Sequence, residues 1–222
     1  MVIIAFVGTW SGAGMANRQQ EIDSCGPGEM ATWGDGQDRP IARRSIALVY
    51  RGASAGPPAG ASAGVPFADE LVREMIERAA VAWSACGLTI RLVGEVEAAV
   101  RLSSRRVVIR WADRPIAGVA IADNGRGELL LNAKVFETLL QRRSQAVAQQ
   151  TLQMTLSHEL GHFLGMRAHS RRCVDVMSYY TSASGEKCSL RDPTEFGRYL
   201  EYRHILPTAC DIARCKALND PR

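Results

Sequence analysis

Two histidines four residues apart, with a glutamate directly after the first, constrain this chain more than anything else in it. The run is His158-Glu159-Leu160-Gly161-His162-Phe163-Leu164-Gly165-Met166-Arg167-Ala168-His169. At i and i+4 the two imidazoles project from one face of a helix. Leu152, Leu156, Leu160 and Phe163 recur at helical spacing, so the periodicity predicts that helix over 149–164 with an apolar face toward a core. Gly165 is expected to end it, because glycine enters the left-handed conformation that turns a chain away from a helix. His169 then lies on the outgoing segment and can swing back toward His158 and His162. Neutral imidazole is a good Zn²⁺ ligand, and three protein ligands leave a fourth coordination position open. Glu159 points at that open position rather than at a metal, where it suits a general base. One catalytic Zn²⁺ on His158, His162 and His169 is therefore the expected cofactor.

A second signal follows downstream, Asp175-Val176-Met177-Ser178-Tyr179. Together the two stretches resemble the metzincin clan of zinc peptidases, whose pattern HExxHxxGxxH is followed by a Met-turn. The match covers His158, Glu159, His162, Gly165 and, with one departure, His169. Three residues separate Gly165 from the third histidine where the family has two, and position 168 holds Ala. The extra residue is expected to be absorbed as a bulge in an irregular loop.

The resemblance implies an α+β, metzincin-like fold. A twisted mixed sheet and two long helices would form an upper lobe (45–165), the second helix carrying the histidines. A small irregular lower lobe (166–222) would follow with a C-terminal helix. It further implies that Met177 forms an apolar floor beneath the metal. Tyr179 would approach the zinc and hydrogen-bond a tetrahedral oxyanion; a buried structural tyrosine is the other reading. A substrate peptide would pair antiparallel with an edge strand near 117–123. Arg171 and Arg172 would help wall a pocket with a preference for acidic residues, or would simply be solvated. The implied reaction is hydrolysis of internal peptide bonds, with Glu159 as the base acting on water.

Other readings stay open at this point. A downstream glutamate (Glu186, Glu195 or Glu201) would replace the third histidine in a gluzincin-like site. A zinc-bearing binding module that does not cleave is a further alternative, although it would have no use for Glu159. There is no Gly-x-Ser-x-Gly or catalytic-cysteine pattern to suggest a covalent mechanism. The net charge is +4, and the arginine pairs at 43–44, 105–106, 142–143 and 171–172 are dispersed without interleaved aromatics. That favours a solvated surface over a nucleic-acid face, and a monomer acting on a protein or peptide substrate.

At 222 residues the chain suits one domain, with enough apolar content to fold without a metal. Residues 1–16 resemble a secretory signal, a short apolar run followed by small residues up to Ala16; a buried first strand is the alternative. Residues 17–44 read as an irregular leader, and Gly52–Gly64 as a flexible loop. Strands are expected at 45–50, 88–93, 106–111, 118–122 and 128–131, the last two around the turn Asp123-Asn124-Gly125. Helices are expected at 66–86, 136–142 and 193–204, before a polar tail. No apolar stretch is long enough to span a bilayer. Six cysteines predict disulfides if the chain is secreted or periplasmic, and free thiols if it stays in the cytoplasm. Proximity suggests Cys173 with Cys188 and Cys210 with Cys215. Cys25-Gly26-Pro27 distantly resembles the matrixin pro-segment motif whose thiolate caps the zinc; a disulfide or an inert thiol are the alternatives.

Overall fold

The computed structural model describes residues 13–52, 65–100 and 103–220. The expected loop lies outside the described residues from 53 to 64, and the expected signal segment does so up to residue 12. In chain order the elements are α1 (Ala13–Asp23), β1 (Ser45–Arg51), α2 (Asp69–Ser84), β2 (Thr89–Leu92), α3 (Glu95–Val100) and β3 (Arg105–Trp111). There follow β4 (Ala120–Asp123), β5 (Glu128–Leu131), α4 (Ala133–Arg142), α5 (Gln145–Phe163), a 3-10 helix (Pro193–Arg198) and α6 (Ala209–Asn219).

The five strands form one sheet in the order β2-β1-β3-β5-β4. All neighbours are parallel except the β5–β4 hairpin, which makes β4 an antiparallel edge. Asp123 shapes the hairpin turn, its carboxylate accepting the N–H groups of Gly125 and Arg126, both at 3.0 Å. Successive side chains of a strand face opposite sides. Ile46, Leu48 and Tyr50 of β1 therefore join Val107, Ile109, Leu129 and Leu131 in the main core with α2, α4 and α5. Ala47 and Val49 face the other side, against Val93 and Ala98. The chain is thus a mixed α/β domain with a mostly parallel sheet, compatible with the expected α+β class.

The helix α2 buries Val72, Ile76, Ala79, Ala80 and Trp83 at helical spacing. Its Trp83 indole N–H donates to the carbonyl of Ser157 at 2.8 Å, which pins α5 one residue before His158. The helix α5 is buried along most of its length and starts on a Ser144 cap whose side chain accepts from Val147 N–H.

Four regions depart from the sequence expectation, one of them the short helix α3 at Glu95–Val100. The leader is not wholly irregular: α1 occupies its start, and residues 31–41 hydrogen-bond to the 165–171 segment and to Asn219. The helix expected at 193–204 is only the 3-10 turn Pro193–Arg198. The final helix is instead α6, inside the stretch expected to be a polar tail. Its buried residues are Cys210, Asp211, Arg214, Cys215 and Asn219. No apolar periodicity announces such a helix; Thr208 and Asp211 fix its start through a reciprocal capping box.

The cysteines pair as Cys25–Cys210, Cys86–Cys215 and Cys173–Cys188, with none free. The local pair 173–188 is as expected, but Cys210 and Cys215 do not pair with each other. Five residues apart on a helix, they point about 140° away from one another. One reaches the leader and the other the end of α2. Three disulfides fit a secreted protein rather than one with free thiols. Among the described residues no helix is long and apolar enough to cross a membrane.

Candidate metal centre

The last turns of α5 carry His158, Glu159 and His162, and the helix closes on Gly165 at φ +95°. Met166 N–H returns to Gly161 O at 3.3 Å and Gly165 N–H to His162 O at 3.2 Å, the two bonds of a Schellman ending. A side chain at Gly165 would be strained by that φ and would also collide with the carbonyl of Arg39, which crosses there. Beyond the turn, His169 comes back beside the other two rings. Its centroid lies 5.2 Å from that of His158 and 5.1 Å from that of His162.

The ligand atoms of His158, His162 and His169 all lie within 4.8 Å of one another. Each Nδ1 is engaged by an acceptor. His158 donates to Val176 O at 2.7 Å, His162 to Met166 O at 2.8 Å, and His169 to the Asp35 carboxylate at 2.6 Å. That leaves Nε2 of each ring as the nitrogen available to a metal. Nε2 of His169 is buried without a hydrogen-bond partner. Burial, then the neighbouring His162 and His169, holds His158 far below the ordinary imidazole pKa. Burial likewise lowers His162 to about 4, and lowers His169. Three neutral imidazoles with converging lone pairs, one of them otherwise orphaned, are a donor set that fits Zn²⁺.

Burial also raises the Glu159 carboxyl to about 7, against a lowering hydrogen bond from the backbone N–H of Ala122. The neighbour in sequence of a candidate ligand thus faces the edge strand β4. The expected 117–123 edge is thus found at Ala120–Asp123, directly beside the glutamate.

Met177 is fully buried and lies against Gly161 between the two histidine turns, where any side chain at 161 would strike its sulfur. Tyr179 is 47% exposed, which overturns the buried structural alternative. Its ring stacks on His169 at 3.7 Å between centroids and lies 5.7 Å from His158. Burial and the charges of Glu159 and Asp35 raise its pKa.

None of the three downstream glutamates joins the histidines. Glu186 pairs with Arg171, Glu195 is buried against Arg198, and Glu201 binds Arg203 and Tyr180. The two arginines of 171–172 differ. Arg171 is exposed over the Trp33 ring, whereas Arg172 is buried on Asp175 and the carbonyl of Glu21, so it is not simply solvated. Cys25 is in a disulfide and caps no metal. Cys25, Glu29 and Cys210 group as donors, but both sulfurs belong to that disulfide.

Asp35, Asp38 and Asp211 carry no signal in the sequence that points to a site. Asp35 and Asp38 lie in the leader and reach the site from more than a hundred residues away in sequence. Asp211 accepts the N–H of Val176 at 2.9 Å, and Val176 O holds His158. No periodicity or spacing marks any of the three.

No protein-family model matches the chain, and no curated protein matches it. It is similar to a chain of the solved structure described as "GM1 bound form of the ECX AB5 holotoxin". The likeness has a TM-score of 0.43 at 15% identity, covering 79% of this chain and 80% of that one.

Proposed function

We propose that the protein is a zinc-dependent endopeptidase of metzincin type, cleaving internal bonds of a protein or peptide substrate as an exported monomer. The observation that carries the proposal is the convergence of three imidazoles, each with Nδ1 engaged, next to a half-buried glutamate. The mixed sheet with an antiparallel edge, the second long helix bearing the histidines and the methionine against it support the same reading.

His158, His162 and His169 would hold the ion through Nε2. A bound zinc supplies Lewis acidity, polarising a carbonyl and making water acidic near neutral pH. Glu159 is placed to take a proton from an attacking water and to deliver it to the leaving amine, and its raised pKa suits both roles. The β4 edge next to Glu159 offers main-chain pairing to an extended peptide, holding its scissile bond in line with the base. Tyr179, half-exposed on the face of His169, offers its hydroxyl to the developing oxyanion. Met177 and Gly161 keep the α5 histidines at a fixed depth over the lower lobe.

Metal analysis of the purified protein joined to a casein digest, with and without a chelator, tests the proposal. One equivalent of zinc and chelator-sensitive cleavage are expected. Glu159→Gln should keep the zinc and lower kcat by about 10²–10⁴-fold. Cleavage near the wild-type rate in that variant would overturn the mechanism.

A further inference from the structure

The loop carrying His169 is held by residues 31–39 of the leader. Trp33 N–H donates to His169 O, Arg171 N–H to Ala31 O and Arg39 N–H to Gly165 O, each at 3.0 Å. Asp38 accepts the N–H groups of Arg167 at 2.8 Å and Ala168 at 3.0 Å, the stretch that contains the additional residue. It also binds the Arg214 guanidinium of α6 through both its oxygens, at 2.7 and 2.8 Å. The bulge in the histidine motif is therefore built around a leader aspartate.

Asp35 does something different. One oxygen accepts the His169 N–H at 2.9 Å and the other accepts Nδ1 of the same residue at 2.6 Å. His158 and His162 rest on main-chain carbonyls at this position, fixed by the fold itself. His169 rests on a single side chain from 134 residues earlier. We propose that Asp35 is a positioning residue for the metal centre: its carboxylate fixes His169 as the Nδ1–H tautomer and aims the bare Nε2 at the other two imidazoles.

A neutral imidazole carries one proton that either nitrogen can hold. An ionised carboxylate only accepts, so the nitrogen facing it bears the proton and the opposite nitrogen bears the lone pair. Such outer partners fix the tautomer and orientation of histidine ligands. The buried, unpartnered Nε2 of His169 is what this arrangement leaves. Tyr179, stacked on the ring, keeps it in plane. An amide at position 35 can turn its NH₂ toward Nδ1, which places the proton on Nε2, where a metal is to bind.

The inference rests on the zinc reading, and the experiment separates the two. Imidazole ¹⁵N spectra of the zinc-free protein report the tautomer, and competition with a chromophoric chelator reports zinc affinity. Both are measured for wild type, Asp35→Asn, Asp35→Glu and His169→Ala. His169 is expected as Nδ1–H in wild type and shifted toward Nε2–H in Asp35→Asn. Zinc affinity is expected to fall about 10–100-fold in Asp35→Asn, and to recover in part in Asp35→Glu. Asp35→Asn with an unchanged tautomer and wild-type affinity would overturn the role of Asp35. So would an Nε2–H His169 in the wild-type protein, a measurement that stands even if the variants do not fold. Failure of wild type to bind zinc at all would instead reject the metal site, while the tautomer comparison would still decide on Asp35.

Discussion

His158, Glu159 and His162 belong to one helix, locked by Trp83 of α2, by Gly161 against Met177 and by the sheet beneath. His169 and Tyr179 belong to loops that send Met166, Val176 and Met177 into the core, but whose hydrogen bonds run largely to the leader and to α6. The first half of the site inherits its geometry from the core; the second half is assembled from chain segments more than a hundred residues apart. A helix sets side-chain directions by its own backbone periodicity. A loop does not, so every direction in the second half needs a specific partner: Asp38 for the turn, Asp35 for the ring, and the Cys25–Cys210 disulfide to keep the leader in place. Changes in the first half should therefore act through the core, and changes in the second should loosen the 167–171 loop while leaving the helical half protected.

The sharpest way to break this comparison is at the floor of the helical half. Met177→Ala removes a fully buried side chain wedged against Gly161. It should destabilise the protein by about 2–5 kcal/mol, read by chemical denaturation of the zinc-free form. A loss under about 1 kcal/mol would mean that the floor is soft and the helical half is not set by packing there.

The same division separates what is legible in the sequence from what is not. The helix, the convergence of His158 and His162 and the turn at Gly165 follow from spacing and from one glycine. The strands at 45–51 and 105–111 follow from β-branched and apolar runs. The α6 helix does not, because its inward face is Cys, Asp, Arg and Asn, satisfied by ion pairs, disulfides and hydrogen bonds to other segments. The helix expected at 193–204 stops short for a different reason: Pro193 and Asp192 start a turn, but Gly197 weakens it, and Phe196 and Leu200, though at helical spacing, stay exposed and give it no buried face to continue on. Asp35 and Asp38 are invisible because a polar leader rich in Gly and Asp reads as loop whether or not its carboxylates meet a site. The pairing of Cys210 with Cys25 is hidden for the same reason, since proximity in sequence favours Cys215.

A second, slightly smaller effect probes the assembled half. Cys25→Ser together with Cys210→Ser releases the covalent tie between the leader and α6. A stability loss of about 2–4 kcal/mol is expected, by denaturant titration against wild type. His158 and His162 should keep their protected backbone amides in hydrogen exchange, while the amides of 167–171 should exchange faster. Equal protection of both segments would show that the strap is held without the disulfide, and that the two halves are not separable in this way.

The smallest effect concerns a hydrogen-bonded route by which the assembled half reaches the helix. Asp211 accepts from Val176 N–H, and Val176 O accepts from His158 Nδ1. Burial, and then the charge of Asp175, raise Asp211 to about 7; burial raises Asp175 too, against the opposing Arg172. A carboxyl whose folded pKa lies above its unfolded value of about 3.9 keeps a proton in the fold that the unfolded chain has released. Its contribution to stability is complete below pH about 4 and is lost as the pH rises through about 7, with a slope of at most about 1.4 kcal/mol per pH unit. The histidines act with the opposite sign. Their folded pKa values are lowered, so the zinc-free protein loses stability on that account as the pH falls. Comparing wild type with Asp211→Asn at each pH removes the histidine part, because both proteins share it. The stability of wild type relative to the variant should therefore decline from about pH 4 to about pH 7, by denaturant titration in the presence of a chelator. A flat difference would mean that Asp211 is already ionised in the fold, and that a charged carboxylate, not a protonated one, holds the Val176 peptide under His158.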